Sequence, residues 1–161
     1  TPPQSLDLAQ VSTLAEIIIR GGDLHDPRTN VRQILQSNYR VLSARYGVYG
    51  LSVLLNATPQ RSASYTLLAQ RNPLLNKKLS LSVVGMVKTA LRRSGYGILI
   101  YVTPPHDLPD HHTLAVFDVD PADEQGQSLS AVHHELPDGA ADAIISAFTQ
   151  VVDNPYPRPR P

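Results

Sequence analysis

The chain has 161 residues, 42% hydrophobic and 17% charged, with no cysteine. That is enough for one domain with a real core, and it excludes a disordered chain, disulfides, zinc–thiolate sites and thiol nucleophiles. The 14 basic and 14 acidic side chains balance, but they are sorted: Pro27 to His106 holds eleven Lys and Arg and no acid, Thr1 to Asp26 four acids against one Arg, and Asp107 to Pro161 ten acids against two Arg.

Such sorting aims the middle of the chain either at a polyanion or at the chain's own acidic end. No apolar run approaches the ~18 residues of a membrane span. The first apolar run, Ile17 to Ile19, is too short for the core of a signal peptide. The expectation is therefore a soluble, cytoplasmic protein without membrane contact. The opening Thr-Pro-Pro, in place of Met, fits a processed or excised piece of a longer chain.

Val11, Leu14, Ala15 and Ile18 recur at helical spacing before Gly21-Gly22, which predicts a helix from Leu8 to Arg20. Gly21 to Asn30 reads as a loop. Val31, Ile34, Leu35, Val41 and Leu42 predict a second helix, with Asn38 interrupting its stripe. Gly47 and Gly50 bracket a switch to a strand, Leu51 to Leu55, and a turn follows at Asn56 to Arg61. Ser62 to Arg71 reads as a short helix closed by Asn72-Pro73. Ser82 is a good N-cap for a helix running to Arg93, with Gly95 at its C′ position. Gly97 to Val102 is apolar on both faces, as a central strand is. The loop Thr103 to Asp110 joins it to a strand from His112 to Val119, its antiparallel partner. Pro121 to Gln127 is an acidic turn region, and Leu129 to His133 reads as an edge strand. Ala141, Ile144, Ile145, Phe148, Val151 and Val152 form the cleanest helical stripe, stopped by Asn154-Pro155.

Helices and strands are partly segregated and the best strand pair is a hairpin, so the fold class expected is α+β. One domain over 1–153 would hold a small antiparallel or mixed sheet of three to four strands, packed by about five helices. Residues 154–161 (NPYPRPRP) are expected to form an extended, polyproline-like tail.

Two clusters stand out in the basic middle. Arg40 and Arg45 sit among Tyr39, Tyr46 and Tyr49, a mixture of guanidinium groups and aromatic faces that suits single-stranded RNA or DNA. Arg71, Lys77 and Lys78 are followed by Lys88, Arg92 and Arg93, and Lys88 and Arg92 share a helix face. At the start of that helix, Ser80, Ser82 and Gly85 suggest a phosphate site on free backbone N–H groups. The plainer reading is a solvated face whose cations pair with the acidic C-terminal third.

The histidines come next. Four of the six adjoin another: His111-His112 and His133-His134. Two imidazoles and a cation suffice for metal-independent RNA cleavage. One takes the 2′-hydroxyl proton, the other protonates the leaving oxygen, and the cation stabilises the developing charge. Strand alternation puts His111 with Thr113 on one face and His112 with Leu114 and Val116 on the other. The apolar company of His112 favours His111, with His112 as the alternative. A polar loop without chemistry is the plainer account of such pairs. His106, Asp107, Asp110, His111 and His112, with His133 or Glu135, match no zinc spacing. Asp118 and Asp120 suit a turn better than a Mg²⁺ site. No metal and no cofactor are expected.

The functional expectation is binding of RNA or another phosphate-rich ligand, with metal-independent cleavage as in a small toxin-like ribonuclease. His111 or His112 would be the acid or base, and Arg45 or Lys88 would hold the scissile phosphate. Arg40, Tyr46, Lys77, Lys78, Ser82, Arg92 and Arg93 would bind the rest. The alternative is a non-catalytic interaction module whose basic middle docks an acidic protein partner or a second copy of the chain.

Overall fold

The computed structural model describes residues 4–19, 24–41, 47–56, 79–103, 111–123, 125 and 127–152. Six strands form one antiparallel sheet: β1 (Glu16–Ile19), β2 (Leu51–Asn56), β3 (Leu79–Val83), β4 (Tyr96–Val102), β5 (His111–Asp118) and β6 (Gln150–Val152). Their order across the sheet is β4-β5-β2-β1-β3-β6. Three α-helices accompany them among the described residues: α1 (Val31–Val41), α2 (Val84–Arg93) and α3 (Asp138–Ala147). The fold is α+β, but the expected sheet of three to four strands under five helices is wrong: the sheet has six strands, and the described residues hold three helices. The expected helix at Ser62 to Arg71 lies outside the described residues.

The predicted first helix is the clearest reversal. Its N-terminal part is a single 3₁₀ turn, Leu8–Gln10, where the Asp7 carboxylate accepts from Ala9 N–H at 3.0 Å. Its C-terminal part is β1. Three consecutive β-branched residues, Ile17, Ile18 and Ile19, are stiff at χ1 and fit a pleated surface better than a helix. β1 pairs with β2 on one side and β3 on the other. All three isoleucines are buried, so both faces of the strand are used.

β3 and β6 are strands that the sequence pattern does not announce. In β3, Ser80 and Ser82 point inward and are buried, while Leu81 and Val83 alternate to the other face. Val84 begins α2 directly after β3, with Val83 as its N-cap, so Ser82 is not the cap. At the other end of α2 the expectation is met: Gly95 has φ +90°, and its N–H donates to the Arg92 carbonyl. α3 ends at Ala147, and the Val151-Val152 pair, expected to extend it, leaves the helix to form β6 against β3. The expected edge strand at Leu129 to His133 is an irregular segment tied to β5 by Leu129 N–H to Asp118 O and His133 N–H to Val116 O.

The expected hairpin is present, with β4 and β5 in register from Tyr96↔Asp118 to Val102↔His112. α1 starts at an Asn30 cap, whose Oδ1 accepts from Gln33 N–H at 3.1 Å. The helices cover one face of the sheet, and α3 contacts both α1 and α2. Ile17, Ile19, Leu51, Val53, Ile98, Ile100, Leu114 and Val116 of the sheet join Leu35, Tyr39, Val87, Leu91, Ile144 and Phe148 in one core. Each fully buried aliphatic side chain there contributes roughly 1.5–3 kcal/mol. Ile18, Leu54 and Ala115, on the opposite face, are also withdrawn from solvent. No helix among the described residues is long and apolar enough to cross a membrane.

Candidate functional site

The register of β5 decides where the histidine pair goes. His112 opposes Val53 and Val102 and turns toward the helix layer, while His111 opposes Leu54 and turns away from it. Both are buried, 4% and 8% exposed for His111 and His112. They therefore do not converge on a common site. His111 instead anchors a polar cluster with Ser52, Thr103 and Thr113 on the face opposite the helices. Arg45, which was expected to serve them, lies outside the described residues, as do His106, Asp107, Asp110, Arg71, Tyr46, Lys77 and Lys78.

The cations of the basic middle separate into two groups. Among the described residues, those before β2 are paired with carboxylates. Arg32 makes a two-pronged contact with Asp142, Nε to Oδ1 at 3.0 Å and Nη2 to Oδ2 at 2.8 Å, and approaches Asp138. Arg40 meets Glu135 at 3.5 Å, and Arg28 meets Asp26 at 3.1 Å. The Arg28 hydrogen bonds hold the half-buried Asp26 carboxyl below its usual range. Tyr39, expected among the ligand-stacking rings, is fully buried in the core, and Tyr49 stacks on His134 at 4.3 Å.

The second group lies on α2. Among the described residues no carboxylate pairs with Lys88, Arg92 or Arg93. Lys88 and Arg93 are exposed and Arg92 is half-buried. Lys88 and Arg92, one helical turn apart, line a hollow of about 240 Å³ together with Tyr96, Gly97, Ile98, Phe117, Val119 and Gln125. Gly97 makes room for it: a Cβ there would collide with the Phe117 ring, so the ring can lie across β4 only because the strand carries glycine at that point. Arg93 faces the other flank of α2, where a larger hollow of about 640 Å³ is lined by Leu14, Met86 and Ala147.

The phosphate site expected at the start of α2 is closed. The Val84 and Gly85 N–H groups already donate to the Ala15 and Thr13 carbonyls, at 3.0 and 2.9 Å. Ser82 is turned inward, where its hydroxyl donates to the Ala147 carbonyl at 2.8 Å. Ser80 is fully buried and its Oγ accepts from Leu24 N–H. These groups are all engaged within the protein, which leaves an anion no cradle there.

A third grouping is not evident as a unit from sequence. His133 Nε2 lies 2.7 Å from Asp118 Oδ1, and its ring meets Tyr96 edge-on with centroids 6.2 Å apart. Burial first, then the negative charges of Asp118 and Asp138, push the Tyr96 hydroxyl above its usual pKa. Tyr96 thus joins this pair to the hollow beside Lys88 and Arg92. The signal available in sequence is the proximity of His133 to β5, which a strand at Leu129 to His133 would also imply. Among the described residues, no three His, Asp or Glu side chains gather closely enough to hold a metal ion.

No protein-family model matches this chain, and comparison with curated proteins and with solved structures finds no match.

Proposed function

We propose that the chain binds single-stranded RNA, or a ligand of similar phosphate and ring chemistry, along α2 and the adjoining end of β4. The observation that carries this reading is a contrast: Arg32 and Arg40 are matched with acids, while among the described residues Lys88, Arg92 and Arg93 are not, and two of these three flank a hollow lined with aromatic rings. Cations neutralise phosphate while Tyr96 and Phe117 offer faces on which a base stacks, and the Gln125 amide can reach a base edge. At about 240 Å³ the hollow is smaller than the ~300–1,000 Å³ clefts that enclose drug-sized ligands, so it suits one ring or one phosphate. The reading is one of binding; no histidine lines the hollow among the described residues. Docking of the basic middle on an acidic partner has an intramolecular counterpart in the Arg32 and Arg40 pairs, which supports the nucleic acid as the occupant of α2.

The test is fluorescence anisotropy with a labelled oligouridine of about 12 nucleotides, within the usual span for such surfaces. Native protein should bind, Phe117→Leu should weaken binding by roughly 5- to 100-fold through lost stacking, and Lys88→Gln with Arg92→Gln and Arg93→Gln should abolish it. Arg32→Gln should bind as native. Absence of binding by the native protein, or undiminished binding by the triple variant, refutes the proposal.

A further inference from the structure

Ser52 and His111 meet on the sheet face that the helices leave. The register opposes Ser52 to Thr113 and Leu54 to His111, which makes Ser52 and His111 diagonal neighbours on one face. Ser52 Oγ lies 2.5 Å from His111 Nε2. On the other side of the ring, Nδ1 lies 2.8 Å from the Thr103 carbonyl oxygen and 3.0 Å from Thr103 Oγ1. A carbonyl oxygen only accepts, so Nδ1 of the neutral ring carries the proton, Nε2 is the acceptor, and the Ser52 hydroxyl donates to it. Thr103 Oγ1 is in turn 2.9 Å from Thr113 Oγ1.

Burial is graded along this chain of contacts. Thr113 is 0% exposed, Thr103 2% and His111 4%, whereas Ser52 is only half-buried. The member nearest solvent is the hydroxyl, backed by a sequestered base whose tautomer is set by a third group. That is the arrangement an activated serine needs, with a backbone carbonyl in the orienting role. Among the described residues, the strand neighbours of Ser52 and His111 on this face, Leu54, Thr113, Tyr101 and Ala115, carry no charge, which suits a neutral carboxylic ester better than a phosphate.

We propose that Ser52 is a nucleophile and His111 its general base in an acyl-transfer site acting on carboxylic esters, separate from the α2 surface. Ser52 Oγ bonds to the ester carbonyl carbon while its proton passes to His111 Nε2. The bond from that carbon to the alcohol oxygen then breaks, His111 returns the proton to the departing oxygen, and Ser52 is left acylated. Water repeats the sequence, releasing the carboxylic acid and restoring the serine hydroxyl.

A fluorophosphonate probe reads the nucleophile directly: Ser52 Oγ displaces fluoride from phosphorus, the proton leaving through His111. Native protein should acquire one adduct, mapped by peptide mass spectrometry to Ser52, and should show an acylation burst with p-nitrophenyl butyrate. Ser52→Ala should lose both, and His111→Gln should label about 100-fold more slowly or less. Ser52→Cys gives a reading that does not depend on the folding of a His111 variant: its thiol should be alkylated by iodoacetamide faster than free cysteine. Native folded protein left unlabelled at Ser52, His111→Gln labelling at the native rate, or a Ser52→Cys thiol no more reactive than free cysteine each overturns the assignment.

Discussion

The Tyr39 hydroxyl, with no exposed surface, donates to the His133 carbonyl at 2.8 Å and accepts from Val116 N–H at 3.2 Å. One phenol therefore ties α1 to β5 and to the segment carrying His133. Burial makes its phenolate unfavourable and pushes its pKa up to about 12 from 10. A raised folded-state pKa means that the unfolded chain loses this proton first. The stability contribution is then complete below pH 10 and is lost as pH rises toward about 12. Tyr39→Phe orphans a buried N–H and removes the donor to a half-buried carbonyl, which should cost about 1–3 kcal/mol. Urea unfolding should show this deficit at neutral pH and a narrowing gap between the two proteins across pH 10 to about 12. A gap independent of pH would place the ionisation elsewhere. In sequence, Tyr39 is conspicuous as an aromatic ring beside cations, yet its helical spacing from Leu35 gives it an equally good claim on the core. Only the neighbours across space decide between those roles.

At the scale of elements, the serines of β3 invert the usual pattern, for Ser80 and Ser82 face the helices while Leu81 turns away. Ser82 donates to the carbonyl of Ala147, the last residue of α3, and so satisfies one of the acceptors a helix leaves open at its end. Ser82→Ala should destabilise by about 1–3 kcal/mol, since the Ala147 carbonyl loses a buried partner. Measured at equal folded fraction, oligouridine affinity should be unchanged; a loss of affinity would restore Ser82 to the ligand site. This inversion is why Leu79 to Val83 does not read as a strand and why its serine imitates a helix cap. Similar ambiguity hides β1, where four apolar residues fit a helical period while the isoleucine triplet has the chemistry of a strand. β6 is hidden because nothing between Phe148 and Asn154 punctuates the stripe of α3, so a stop set by pairing with β3 has no local sign. Elements bounded by glycine are legible: Gly95 closes α2, and the hairpin of β4 and β5 follows.

On the scale of the whole molecule, the charges sorted along the chain are partly reunited by folding. α3 and the residues before it bring Glu135, Asp138 and Asp142 to Arg32 and Arg40 of α1, so part of the imbalance visible in sequence is compensated internally. The sheet's margins are guarded as well: Gln4 and Leu6 hydrogen-bond to β4, and β6 is only three residues long. What folding leaves uncompensated among the described residues is the α2 trio, and a salt titration measures it. If Lys88, Arg92 and Arg93 each neutralise one phosphate of a single strand, the plot of log affinity against log salt should have a slope of about −2, from roughly −0.7 per contact. Each single Gln substitution in the trio should make that slope shallower by roughly 0.7. Arg32→Gln should leave the slope near native, because that guanidinium is held by Asp142 and has no phosphate to release counterions from. A slope that stays steep after all three α2 cations are removed would move the contact to another part of the surface.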